Sequence, residues 1–249
     1  MHNTLTRVQN VFGFFTSVAF AAAAAIAISV LLSPQAPTAS LELRSVQVVK
    51  GRPHYYSTKR EEYAHIKFDL DADLTTLFNW NTKQIFLYIT ASYPSSDPST
   101  IPPSEAVIWD AIIPSNYAPW HQNTYIHPTP KATTKVKKTA KKGKKEIGKA
   151  YPAGAQPGII KLDGQKPKYQ ITDVSSKIAD RSNATLTLHW NIQPWVGALV
   201  WTNTKTVGRW QGLQGGEAKF NFPPLKGTEV KKDELKTETG GERNRGSPA

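Results

Sequence analysis

The residues able to do chemistry are few and scattered. The 249-residue chain has no cysteine, so disulfides, thiolate nucleophiles and cysteine metal sites are excluded. Asp69-Leu70-Asp71-Ala72-Asp73 has the opening pattern of a calcium loop. Such a loop needs glycine at its sixth position and glutamate at its twelfth, where this chain has Leu74 and Trp80. The carboxylates therefore read as solvent-facing strand residues, with Asp73 capping a short helix. The histidines, at 2, 54, 65, 121, 127 and 189, lack the i, i+4 spacing and adjacent glutamate of a helical zinc site. There is no G-x-S-x-G elbow and no S-x-x-K pair. No metal or cofactor is expected, and no nucleophile with its base can be named.

One modification motif stands out. Asn183-Ala184-Thr185 is the single N-x-[ST] sequon, placed just before a strand-like run where a turn would present Asn183 for N-glycosylation. The charge is equally localised. Of a net +12, the stretch 131–149 supplies +8, with nine lysines against Glu146 alone. It lacks the interleaved aromatics that stack bases, so it reads as a solvated run with weak attraction for anionic headgroups, and no nucleic-acid partner is expected.

The elements that position these residues read mostly as strands. Ala64, Ile66, Phe68 and Leu70 alternate with polar residues, as do Leu186, Leu188, Trp190 and Ile192. Leu41 to Val49 alternates with one slip of phase near Ser45, the mark of a bulge. Lys83 to Tyr93 is apolar on both faces and reads as a central strand packed on both sides, and Ala106 to Ile113 adds another. Short strands with Pro/Gly/Ser punctuation indicate a mainly β fold, a β-sandwich over 40–225. Within it, 116–168 is rich in Pro, Gly and Lys and reads as a disordered insertion; 226–249 reads as a disordered tail. Trp80, Trp109 and Trp190 are expected in the core. Trp195, Trp201 and Trp210 suit a protein interface instead.

Ahead of the sandwich lies a single expected transmembrane helix, 11–33, uncharged and long enough for a bilayer. Its apolar run exceeds the 7–15 residues usual in a cleaved signal, so it reads as a signal-anchor. Arg7 and the amino terminus favour a cytoplasmic 1–10, which puts the sandwich in the lumen.

Taken in order, several blocks resemble subunit 3 of the eukaryotic signal peptidase complex, the 22/23-kilodalton family, in a fungal-type form. They are Asn3-Thr4-Leu5-Thr6-Arg7, Phe68 to Leu74, Leu77-Phe78-Asn79-Trp80-Asn81-Thr82-Lys83-Gln84-Ile85-Phe86-Leu87-Tyr88, Val107 to Asp110, and Asn183 to Asn191 with Pro194 and Gly197. The resemblance implies a type II single-pass protein of the endoplasmic reticulum membrane, with a lumenal domain glycosylated at Asn183. It implies no catalytic residues of its own. The partners implied are the catalytic serine protease subunit and the small membrane subunits of the complex, with secretory precursors engaged indirectly. The function implied is to support signal-peptide removal by packing on and positioning the protease. A translocon-associated adaptor or chaperone-like binding module is the alternative.

Overall fold

The computed structural model describes residues 3–98, 100–128, 151, 156–202 and 205–226. An α-helix, α1, runs from Thr4 to Leu31, starting well before the apolar stretch. Asn3 explains the early start: its side-chain oxygen accepts from the Leu5 N–H at 3.1 Å, satisfying one of the free donors of the first turn. No residue of α1 is buried, and Phe12, Phe14, Phe15 and Phe20 all face outward. Thr16 and Ser17 return their hydroxyls to the Gly13 carbonyl and Ser29 to that of Ile26, so these hydroxyls are satisfied within the helix.

The strands follow as β1 (Thr38–Gly51), β2 (Glu61–Asp73), β3 (Thr82–Tyr93), β4 (Ser104–Pro114), β5 (Ile159–Gln165) and β6 (Ala184–Pro194). Three short ones complete the set: β7 (Val200–Trp201), β8 (Gln214–Gly215) and β9 (Glu217–Phe220). One sheet is ordered β5-β2-β1-β8, and the other β4-β3-β6-β7 with β9 also on β6. The pair forms a β-sandwich, the mainly β fold expected from the alternation. Ile66, Phe68 and Leu70 from β2 meet Ile85, Leu87 and Ile89 from β3 and Trp190 from β6 in the core. The phase slip near Ser45 is a real irregularity, lying between Leu43 and Ser45 in the β1–β2 register.

Three expectations need correction. Residues 159–165, placed by composition in the disordered insertion, form β5 on the edge of β2, where Ile160 is fully buried. An edge strand needs few inward residues, so its Lys, Asp and Gly content concealed it. Trp80 is 66% exposed rather than core, because it lies in the turn before β3, outside the alternating register. β3 is central but covered on one face only. Phe86 and Tyr88 remain half-buried on the other, ring-stacked at 5.6 Å, with His189 stacked on Tyr88 at 5.2 Å. The one or two helical turns expected after Asp73 are a single 3₁₀ turn, Thr75–Leu77. The Asp73 carboxylate accepts there from both the Thr75 N–H and hydroxyl. Residues 129–150 and 152–155 of the insertion and 227–249 of the tail lie outside the described residues.

The two sheets are stitched by a pair of glycines. Where β8 in one sheet passes to β9 in the other, Gly215 at the end of β8 and Gly216 just after it both have φ near 77°. A Cβ on Gly215 would sit 2.0 Å from the Ala39 carbonyl oxygen, and the Gly216 carbonyl accepts from the Leu188 N–H. The crossing is therefore open to glycine alone at its first position.

Candidate functional site at the helix–sandwich junction

The three carboxylates of the calcium-like motif are all engaged within the fold. Asp69 pairs with Arg44 at 3.2 Å and accepts from the Gly164 N–H; Asp71 faces Lys161 at 3.7 Å; Asp73 caps the 3₁₀ turn. Among the described residues no three His, Asp or Glu side chains gather as a metal-binding group. The His189 pKa is shifted. Burial lowers it, against the opposing pull of Glu105 and Glu217, so the ring is held neutral.

Asn183 stands exposed at the residue before β6, in the left-handed region at φ 61°. Asparagine tolerates that region well. Its N–H donates to the Asn221 side chain, leaving its own amide outward. The preceding loop is pinned by Arg181, which pairs with Asp173 at 2.7 Å and donates to the Pro94 and Lys177 carbonyls. Burial opposes the Asp173 charge, but bonds from Ser175 and Arg181 outweigh it and hold its carboxyl below the usual range. The sequon is thus presented from a braced turn.

The most distinctive sequence block, 79–84, turns out to be a fastening. Asn81 is buried and spans to the loop after β6. Its Oδ1 accepts from the Val196 N–H at 3.1 Å, and its Nδ2 donates to the Val196 carbonyl at 2.6 Å. The Trp195 N–H donates to the Asn81 carbonyl, Gln84 bonds Gln193 at 2.7 Å, and the Lys83 ammonium lies 5.4 Å from the Trp195 ring. Thr82 closes the turn internally, donating to the Leu77 carbonyl. Every polar side chain of the block has a structural partner.

What that loop holds is the end of α1. Gly197 lies against Ala27, closely enough that a Cβ would come within 3.2 Å of the Ala27 methyl. Arg209 donates to the Leu32 carbonyl at 3.1 Å, and Gln35 pairs with the 209–211 backbone through its own N–H and carbonyl. Trp195 and Trp201 project from this junction half-exposed, whereas Trp210 lies partly buried within it. These contacts join residues far apart in sequence, and no local pattern announces them.

A second anchorage secures the insertion. Asp110 on β4 accepts from Asn123 and Tyr169 and pairs with Lys168. Tyr125 and Tyr151 pack with ring centroids 6.3 Å apart, and Tyr125 exchanges hydrogen bonds with the Lys161 backbone of β5. Burial raises the Tyr151 phenol, whose oxygen accepts from the Gly158 N–H.

Comparison with known sequences agrees with this geometry. The family described as signal peptidase subunit matches residues 1–126 and 153–211, and the break opens two residues after Tyr125 and takes in Tyr151. Signal peptidase complex subunit 3 of Yarrowia lipolytica is 32% identical over 235 residues, covering 90% of this chain and 100% of that protein. The Saccharomyces cerevisiae protein of the same name is 34% identical over 152 residues, 61% of this chain and 59% of its own length. The Homo sapiens one is 25% identical over 199 residues, 80% and 87% of the two chains. The apolar helix, the braced sandwich and a match that spans both junction and core place this chain in the signal peptidase subunit family.

Proposed function

We propose that the chain is a non-catalytic subunit of the signal peptidase complex in the endoplasmic reticulum membrane. Its helix anchors it with the amino terminus cytoplasmic and the sandwich lumenal, where the sandwich packs on the protease subunit and holds it at the membrane surface. The observation that carries this reading is the fastening of block 79–84 to the loop that grips α1. A sandwich fixed to its anchor can hold a partner at set height and angle, whereas one on a loose linker cannot. Positioning is a genuine catalytic contribution, since misplacing reacting groups by about 1 Å can cost on the order of 100-fold. The exposed, braced Asn183 supports glycosylation there and hence a lumenal sandwich.

The test is purification of the full chain in mild detergent and identification of stoichiometric partners. A membrane serine protease with small membrane subunits is expected, and depletion of the chain should leave secretory precursors uncleaved. Recovery of translocon components alone, with normal processing, would overturn the reading in favour of an adaptor.

A further inference from the structure

Between the last turns of α1 and the loop after β6 lies an apolar recess of about 220 Å³. Ala27, Ile28 and Leu31 form one wall, and Ile192, Val196 and Val200 the other. An apolar cavity of roughly 150 Å³ already suffices to take benzene, so the space fits several methylenes of a chain. Of the polar side chains in the lining, Asn79, Asn81 and Thr82 are bonded within the 79–84 fastening, which leaves Gln35 and Trp210. Gln35 is 5% exposed. Its Nε2 and the Trp210 Nε1 are buried donors without a hydrogen-bond partner among the described residues. A buried donor left without an acceptor is costly, and one acceptor-bearing ligand could relieve both.

Depth argues for the identity of that ligand. Gly197 touches Ala27, which precedes the helix end at Leu31 by four residues, about 6 Å of rise. The loop therefore runs beside the final turn of the anchor rather than beyond it, level with Ile28, Leu31 and Leu32. At this level it exposes Trp195 and Trp201, 50% and 59% accessible, together with Leu199. Lys83 and Arg209 stand beside them. Tryptophan with flanking Lys and Arg is the composition of the membrane–water boundary, where lipid esters and phosphates lie next to the acyl chains.

We propose that the recess binds one bilayer phospholipid, its acyl chain against the Ile28–Val196 walls and its ester or phosphate oxygens accepting from Gln35 and Trp210. The proposal rests on α1 lying in a bilayer, but not on the protease complex or on which side the sandwich faces.

The test uses full-length chain extracted from membranes in mild detergent, washed through detergent exchange, and assayed for retained phospholipid by mass spectrometry. The wild-type chain is expected to keep about one phospholipid. Ala198→Phe, which fills the recess mouth, and Gln35→Leu, which removes a donor, should each reduce retention by about fivefold or more, the equivalent of one lost hydrogen bond. Gln35→Leu keeps the backbone bonds of residue 35, so it decides the matter if Ala198→Phe fails to fold. Wild-type chain without lipid, unchanged retention in both variants, or a partner's transmembrane segment cross-linked at Ala198 in place of lipid would each overturn the proposal. Alkaline extraction of the same membranes separates causes: a chain that stays with the membrane yet keeps no lipid defeats this inference and leaves the anchor standing.

Discussion

Asn81 and Val196 are joined by a reciprocal pair of hydrogen bonds, so that one side-chain amide reads both backbone groups of a residue on a distant loop. Asn81→Ala removes both and leaves the Val196 N–H and carbonyl to find water in a half-buried place. A loss of about 2–4 kcal/mol is expected, roughly 5–15 °C in Tm for a domain of this size. Asn81→Asp keeps the acceptor but turns a carboxylate oxygen on the Val196 carbonyl in a buried place, so it should cost at least as much as Asn81→Ala. Thermal unfolding of the purified chain would check the order. A melt unchanged in Asn81→Ala would mean that the loop is held by other contacts.

Two glycines should behave in opposite ways. Gly215→Ala puts a methyl against the Ala39 carbonyl at positive φ and should destabilise by about 3 kcal/mol or more, enough to lower yield sharply. Gly13→Ala meets nothing within 4 Å on the outer face of α1 and should leave stability unchanged or slightly raised. Denaturation midpoints of the two variants would decide.

The half-buried His189 makes stability depend on acidity. Its pKa is lowered by burial from the ordinary value of 6.5, so folding favours the neutral ring. Its share of stability is full above about pH 6.5 and is lost as pH falls through the lower folded value. His189→Gln should flatten the decline in Tm as pH falls below about 6.5. Parallel pH melts with equal slopes would show that other groups carry the decline.

Glycosylation at Asn183 can be separated from folding. Asn183→Asp removes the acceptor but retains a residue that tolerates the left-handed backbone, and the bond to Asn221 uses the main-chain N–H. In cells the variant should run lower on a gel by one glycan, with an unchanged melt. A mobility identical to wild type, both insensitive to glycosidase, would remove this support for a lumenal sandwich.

What the sequence made legible follows burial. β2 and β6 could be read because one face of each is fully covered, which enforces strict alternation at Ala64–Ala72 and Leu186–Ile192. β5 escaped notice because only Ile160 is fully enclosed. β7 and β8 have two residues each and exist through their partners on β6 and β1 rather than through any pattern of their own. Trp80 misled because its size suggests a core while its turn places it outside. The sequon at Asn183 was visible as a motif, and the structure adds its exposure. The junction was invisible, since Ala27, Asn81, Gly197 and Arg209 are brought together only by the completed sandwich. The Trp-Asn-Thr-Lys-Gln block could be recognised as distinctive, but not as a clamp.

The Tyr125–Tyr151 contact has a bearing on how this protein can change. Because the rings and the β5 backbone hold the two ends of the lysine-rich stretch beside each other, the entropy of closing that loop is met at its base and grows only slowly with length. The position is therefore a natural socket. Sequence can be added, trimmed or exchanged there, by descent or by an engineer grafting an epitope or a reporter, with the sandwich and its grip on the helix left as they are.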